Sequence, residues 1–224
     1  MLQSRGSPLV AGRIYTPDAQ IEISDGGAVS LVLPSGEIRS VHGPFKGVIA
    51  DLEGSATESA PLWTAVVSFI KRGMSSEDTT GGTRAVDLNA GLMHFSWTIV
   101  PSAIEGNVCV DGRQELLLKR PPLASVNRIT LLDTEGGRAQ VEWPEGSDMA
   151  RWPAELPAAS NRDYMVLIPG LPMRQLTLRF MDNGMPPDSQ VLQALAAKGC
   201  AHQIEAWLQD RLGPDWKPET VGQQ

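Results

Sequence analysis

The segment LPSGEIRSVHGPFKG, residues 33–47, combines a tight turn, a short alternating strand and a Gly-Pro step. Pro34-Ser35-Gly36 suits a reverse turn, because glycine readily takes the positive φ that such turns require. From residue 38 to residue 42 apolar and polar side chains alternate, which is typical of a strand with one buried face. Gly43-Pro44 ends this strand, since proline donates no hydrogen bond to a ladder. We therefore predict a hairpin that leaves by a sharp corner, with Gly36 at positive φ.

The residues before this hairpin show the same rhythm of strand and turn. Ile21 and Ile23 give one alternating stretch, and residues 28–33 give the next. Asp25-Gly26-Gly27 separates them and predicts a further hairpin turn. The N-terminal part of the chain is therefore predicted to form a small antiparallel β module.

The pattern changes after the module. Residues 60–72 place apolar side chains at helical spacing and end in Lys71 and Arg72, which favours a linking helix. Residues 74–84 are polar and contain glycine, so we predict a mobile linker between two halves of the chain.

Strand patterns return beyond the linker. Seven short strands at nearly regular spacing predict an immunoglobulin-like sandwich, at residues 94–100, 107–110, 115–119, 127–132, 139–143, 164–168 and 175–180. Two helices are predicted at the C-terminus, residues 189–198 with Asp188 as N-cap and residues 200–212. The predicted fold is thus mainly β with short helices. Its parts are a β module (1–58), a helix and linker (59–92), a sandwich (93–184) and a helical segment packed on the sandwich (185–224).

Charge and hydropathy exclude several classes of partner. The chain of 224 residues carries 26 acidic and 19 basic residues, a net charge of -7, and its basic residues form no run. Nucleic acids and anionic membranes are therefore poor partners, because both are bound through clustered Lys and Arg.

No segment approaches the roughly 20 apolar residues of a membrane-spanning helix. The first ten residues lack the apolar core of a secretory signal. The chain is either cytoplasmic or an exported protein from which the signal peptide was removed.

Catalytic and metal-binding patterns are lacking in the sequence. The histidines, His42, His94 and His202, are far apart, and no close-spaced cysteine pair accompanies them as at most zinc sites. Gly-x-Ser-x-Gly is absent, and residues 79–84 lack the Gly-Lys-Ser/Thr ending of a phosphate loop. We predict no catalytic residue, no metal and no cofactor. An enzyme with an unrecognised site is an alternative.

Two tryptophans are candidate contacts to a ligand or partner. Trp143 and Trp152 each precede a proline and frame the segment WPEGSDMARWP. An exposed indole can stack on a sugar ring or anchor a protein interface. The same residues would equally suit the interior of a sandwich.

The two cysteines both have apolar surroundings. Cys109 lies in the apolar strand Val108-Cys109-Val110, and Cys200 precedes a helix with Ile204, Trp207 and Leu208 on one face. Both side chains are expected to point inward, which fits one disulfide or two buried thiols.

Residues 27–36, followed by Gly43-Pro44, resemble the hairpin rhythm of the FecR-type β module, over roughly residues 8–47. The rest of the chain is similar to a group of uncharacterised proteobacterial envelope proteins. That similarity rests on a strand like residues 107–110, a Trp-Pro to Leu-Pro step like residues 152–157, and a terminal helix like residues 195–203.

This resemblance implies a periplasmic or envelope protein that senses or scaffolds by binding another envelope protein. A glycan, from peptidoglycan or exopolysaccharide, is the alternative ligand for Trp143 and Trp152. The similar proteins carry both cysteines and are exported to an oxidising compartment, so the resemblance implies a disulfide between Cys109 and Cys200. They also carry a signal peptide that this chain lacks, and we expect it to have been removed.

Overall fold

The computed structural model describes residues 2–52, 66, 94–123, 126–181 and 184–213. Over these ranges the protein is mainly β, with two short helices at the C-terminal end, as the sequence predicts. The predicted linking helix (60–72) lies outside the described residues except for Val66, which is helical. The predicted linker (74–84) lies outside them altogether.

The strands of the described residues are, in chain order, β1 (Gln3–Arg5), β2 (Gln20–Ile23), β3 (Ala28–Val32), β4 (Ile38–His42), β5 (Phe45–Val48), β6 (Ile99–Pro101), β7 (Gly106–Val110), β8 (Leu117–Lys119), β9 (Arg128–Asp133), β10 (Arg138–Glu142), β11 (Met149–Arg151), β12 (Asp163–Leu167) and β13 (Arg174–Phe180). The helices are α1 (Val191–Ala197) and α2 (Ala201–Leu212), with 3₁₀ turns at Ile49–Leu52 and Asp188–Gln190.

The chain divides into two compact units. Of the described residues, the first unit contains 2–52, 66, 186–197 and 204–213. The second contains 94–123, 126–181, 184–185 and 198–203. The helical segment therefore contributes to both units.

The first unit contains two small sheets, with strand orders β1-β3-β4 and β2-β5. The strands β3 and β4 form the expected hairpin, and Gly36 in its turn has φ 87°, as predicted. The expectation of a hairpin at Asp25-Gly26-Gly27 is wrong, because β2 pairs with β5 while β3 pairs with β1 and β4. The turn is present, but it passes the chain from one sheet to the other. Apolar side chains of both sheets share one core.

The second unit is a β-sandwich. Its sheets are five-stranded, with the order β10-β9-β12-β13-β7, and three-stranded, with the order β11-β8-β6. Each of the seven predicted strand segments overlaps a strand, and β11 is an additional one. Side chains from both sheets form a single core that includes Leu118, Leu131, Val166 and Leu178.

Tyr164 fixes one corner of the sandwich. Its ring is completely buried, and burial raises the pKa of its hydroxyl. The hydroxyl donates to the carbonyl of Pro157 (3.0 Å) and accepts from the backbone N–H of Ala159 (2.9 Å). A tyrosine at the start of a strand that bonds to backbone a few residues upstream is the tyrosine corner of immunoglobulin-like sandwiches. The polar end of a core aromatic is thereby satisfied.

The helical segment starts differently from the prediction. Asp188 does not cap α1. It begins a 3₁₀ turn, and Pro187 occupies the N-cap position of that turn. The Asp188 carboxylate instead pairs with the guanidinium of Arg211 at 2.5 Å.

Candidate functional site

A disulfide joins Cys109 of β7 to Cys200, with their Cα atoms 5.9 Å apart. Both residues are completely buried within the sandwich unit. The bond implied by the resemblance is therefore present. It links residues that are 91 positions apart in the sequence.

Gln203 makes a second connection to the same residue. Its side-chain Oε1 accepts from the backbone N–H of Cys109 (2.6 Å), and its Nε2 donates to the Cys109 carbonyl (2.7 Å). The same Nε2 donates to the carbonyl of Ser96 at 3.0 Å. The primary amide thus takes the place of a neighbouring strand at this point of β7, with donor and acceptor both matched.

A further contact to β7 is made two residues before Cys109. The side-chain amide of Asn107 donates to the carbonyl of Lys198 at 2.9 Å. Gly199 follows with φ +70°, and a Cβ there would lie 2.8 Å from the Asn107 amide nitrogen. Glycine at position 199 therefore allows this backbone to approach β7 closely.

We call the group formed by Cys109, Cys200 and Gln203 the β7 clasp.

Asp111 organises the turn that follows β7. Its backbone N–H donates to the carbonyl of Trp97 (2.8 Å). Its buried carboxylate accepts from the Arg113 guanidinium (2.8 Å) and from the amide of Gln114 (2.9 Å). The hydrogen bond from Arg113 is the main reason that the pKa of Asp111 lies well below its ordinary value of 3.8. This carboxylate is ionised and engaged within its own turn, which is a structural role.

Trp143 lies in the sandwich core and is 6% exposed. Its indole N–H donates to the carbonyl of Leu118 at 3.1 Å, so the polar group of the ring has a partner. This geometry leaves no ring face open to a ligand. Trp143 is therefore a core side chain and not an exposed contact residue. The sequence signal for this burial is the alternation along β10, which places Trp143 on the same face as Ala139 and Val141.

Trp152 has a different environment, because it lines an open groove. The ring is half-buried and packs edge-on against Tyr164, with centroids 4.9 Å apart, while its N–H donates to the Leu156 carbonyl (2.7 Å). The groove has a volume of about 280 Å³. We call it the Trp152 groove; its lining includes Leu116, Trp152, Pro153, Ala154, Pro157 and Phe180.

The polar side chains at the groove already have partners within the chain. Gln114 donates to Asp111, and the Glu115 carboxylate pairs with Arg151 at 2.9 Å. Aromatic, proline and alanine side chains therefore dominate what the groove offers to a ligand. Such a surface suits the apolar side chains of a peptide better than the hydroxyl groups of a sugar.

A cleft of about 250 Å³ in the first unit is lined by Ile38, Ser30, Ser40, Asp188, Trp207 and Arg211, among others. Four of its polar side chains pair with one another: Arg211 with Asp188, and the hydroxyls of Ser30 and Ser40 at 3.1 Å. The guanidinium of Arg211 also lies over the Trp207 ring, 4.8 Å from its centroid. Trp207 is buried and its ring is covered by Arg211, so this cleft presents no accessible aromatic ring, whereas the Trp152 groove does.

The described residues contain no group of three or more His, Cys, Asp or Glu that could hold a metal ion. The imidazole of His202 contacts the backbone carbonyl of Glu105 at 3.1 Å. No helix within the described ranges is both long and apolar enough to cross a membrane.

Gln203 is the important residue that the sequence patterns did not single out. It lies within the terminal-helix motif, three positions after Cys200, but its partner on β7 is 94 residues away. The spacing Cys-x-x-Gln at the start of a helix is the signal that could have identified it.

Comparison of the chain with models of protein families, with curated proteins and with solved structures finds no match.

Proposed function

We propose that this chain is a non-catalytic protein of the periplasm or cell envelope that binds another protein, as an interaction, sensing or scaffolding module. The observation that carries the proposal is the buried disulfide of the β7 clasp, because structural disulfides persist in oxidising compartments. The resemblance of residues 8–47 to the FecR-type module supports the sensing or scaffolding role. We assign Asp111 a structural role, because Arg113 and Gln114 hold its buried carboxylate within its own turn.

The Trp152 groove is the proposed contact surface. It combines a rigidly held indole with proline and phenylalanine side chains, and interface anchors are often aromatic residues held in this way. Its polar neighbours Gln114 and Glu115 have partners within the chain, which favours a protein ligand over a glycan.

The compartment is tested by trapping thiols in intact cells before lysis. We expect neither Cys109 nor Cys200 to react with an alkylating reagent until a reductant is added under denaturing conditions. Two alkylated cysteines in the freshly trapped protein would contradict export to an oxidising compartment.

The contact surface is tested by an added charge that spares the core. Ala154 is exposed and lines the groove, so Ala154→Glu should abolish recovery of the partner by affinity capture from envelope extract. Ala50→Glu makes the same change at an exposed alanine of the first unit and should leave recovery unchanged. Equal recovery with both variants would exclude the groove as the contact surface.

Glycan binding through Trp152 is a second candidate, because a half-buried indole at a groove is also a common sugar platform. In that case peptidoglycan or exopolysaccharide fragments should quench Trp fluorescence, and Ala154→Glu should remove this effect. Absence of quenching in the wild-type protein would leave the protein partner as the ligand.

A further inference from the structure

The strand β10 forms the outer edge of the five-stranded sheet opposite β7, and within the described ranges no strand pairs with its outer side. Two hydrogen bonds, one at each end of β10, show which of its backbone groups face β9. The N–H of Asp133 donates to the Gly137 carbonyl, and the N–H of Trp143 donates to the Asn127 carbonyl, each at 3.0 Å. Groups on an antiparallel strand alternate in direction, so residues 139 and 141 face β9. The backbone groups of residues 138, 140 and 142 face away from the sheet.

The sequence of this edge is complementary to itself when one copy is reversed. An antiparallel pair centred on Gln140 would place Arg138 opposite Glu142 of a second copy, and Glu142 opposite that copy's Arg138. All three side chains lie on the exposed face of β10. The residues brought together are also those with outward backbone groups, so the register satisfies hydrogen bonds and charges together.

We propose that two copies of this chain associate through their β10 edges, about a two-fold axis at Gln140. The two five-stranded sheets then continue into one sheet across the axis. Each Arg138 pairs with the partner copy's carboxylate, while Glu142 keeps its exposed contact to Arg128 at 3.5 Å. The interface is isologous and closes on itself, which limits assembly to a dimer.

The contact is small, because β10 contains five residues. We therefore expect a reversible dimer with a Kd on the order of 100 μM, measured by sedimentation velocity over a concentration series. A wild-type chain that stays monomeric at about 1 mM overturns the proposal.

The charges are tested by complementary reversal. Arg138→Glu alone and Glu142→Arg alone each place like charges across the axis, and each should weaken self-association about tenfold or more. An equimolar mixture of the two variants restores opposite charges at both positions and should recover the wild-type degree of association as a heterodimer. The control Arg151→Glu reverses an exposed charge on β11 and should have no effect. A mixture that is no more associated than either variant alone overturns the proposed register.

Two substitutions at Gln140 test the pairing geometry without relying on charge. Gln140→Pro removes an outward N–H at a position where an edge strand tolerates proline, so the protein should remain folded by circular dichroism and become monomeric. Gln140→Cys places two thiols across the axis, where Cα atoms about 5.5 Å apart permit a disulfide. Oxidation should then give a covalent dimer, whereas Glu155→Cys should give none. Equal dimer yields from both cysteine variants would contradict pairing at β10.

Discussion

The two edges of the five-stranded sheet differ in how their outward backbone groups are treated. At β7 the N–H and carbonyl of Cys109 both bond to the Gln203 amide, and the Cys109 side chain is bonded covalently to Cys200. At β10 the outward groups have no strand beside them within the described ranges, and exposed Arg138, Gln140 and Glu142 accompany them. One edge is closed from within the chain, and the other presents charges to solvent.

This difference shows two physical answers to the same problem. An edge strand carries unpaired donors and acceptors that attract other strands. A buried edge must satisfy them internally, since an unpaired buried group costs about 1–3 kcal/mol. An exposed edge can leave them to water and use charge to select what pairs with it. The β7 clasp satisfies the edge groups from within the chain, whereas β10 leaves them to water and carries exposed charges.

Removal of the disulfide should have the largest effect on stability. The double substitution Cys109→Ala/Cys200→Ala should lower the free energy of unfolding by about 2–4 kcal/mol, because the unfolded chain loses a long covalent loop. Denaturant unfolding measures the change. Wild-type protein kept reduced throughout should behave in the same way, and a variant as stable as oxidised wild type would show that the bond adds nothing.

Gln203→Leu should lower the free energy of unfolding by about 2–3 kcal/mol even with the disulfide intact, because two backbone groups of Cys109 lose their partners. Gln209→Leu in the same helix is the control. Its amide donates to the Gly213 carbonyl at a partly exposed site, so we expect a smaller loss. Equal losses from both variants would contradict a special role for Gln203.

Acid should weaken the closed edge through Asp111. Its pKa is lower in the folded chain than its ordinary value of 3.8, so its stabilising effect is present above about pH 4 and declines as the pH falls below that. Asp111→Asn should therefore flatten the fall in stability between about pH 4 and pH 2. Asp148→Asn, at an exposed position of the same unit, should keep the wild-type slope. The same slope in both variants would assign the acid sensitivity to other groups.

The smallest change in stability is expected at the open edge. In the monomer the N–H of Gln140 faces water, so at concentrations below those that give a dimer Gln140→Pro should change the free energy of unfolding by less than about 1 kcal/mol. A loss comparable to that of Gln203→Leu would show that β10 is also closed from within, and the contrast between the edges would disappear.

The strands were largely predictable, and their partners were not. Alternation along residues 139–143 or 164–168 is local, so it identifies a strand and its buried face. The turn at Asp25-Gly26-Gly27 is equally local, but whether β2 and β3 pair depends on β5, which lies beyond the next hairpin. The three-residue strand β11 is too short to show a period.

The same distinction applies to the candidate site. The cysteine pair was predicted through a resemblance, whereas Gln203 acts on a strand 94 residues away that no local pattern indicates. Trp143 and Trp152 have similar flanking sequences, yet one lies in the core and the other lines a groove. The difference arises from the opposite sheet, which supplies Leu118 to Trp143 and is not visible from either Trp-Pro step.

The disulfide also makes a closed covalent ring of the chain from Cys109 to Cys200. Of the eight sandwich strands that the structure describes, six (β8 to β13) lie within this ring, and so does all of α1. A protease that cuts the backbone once at any point inside the ring opens it without separating two fragments. The nicked protein should keep its full mass until a reductant is added. A single cut in a surface loop of the sandwich therefore does not release the strands that follow it, because the disulfide still holds them to the rest of the chain.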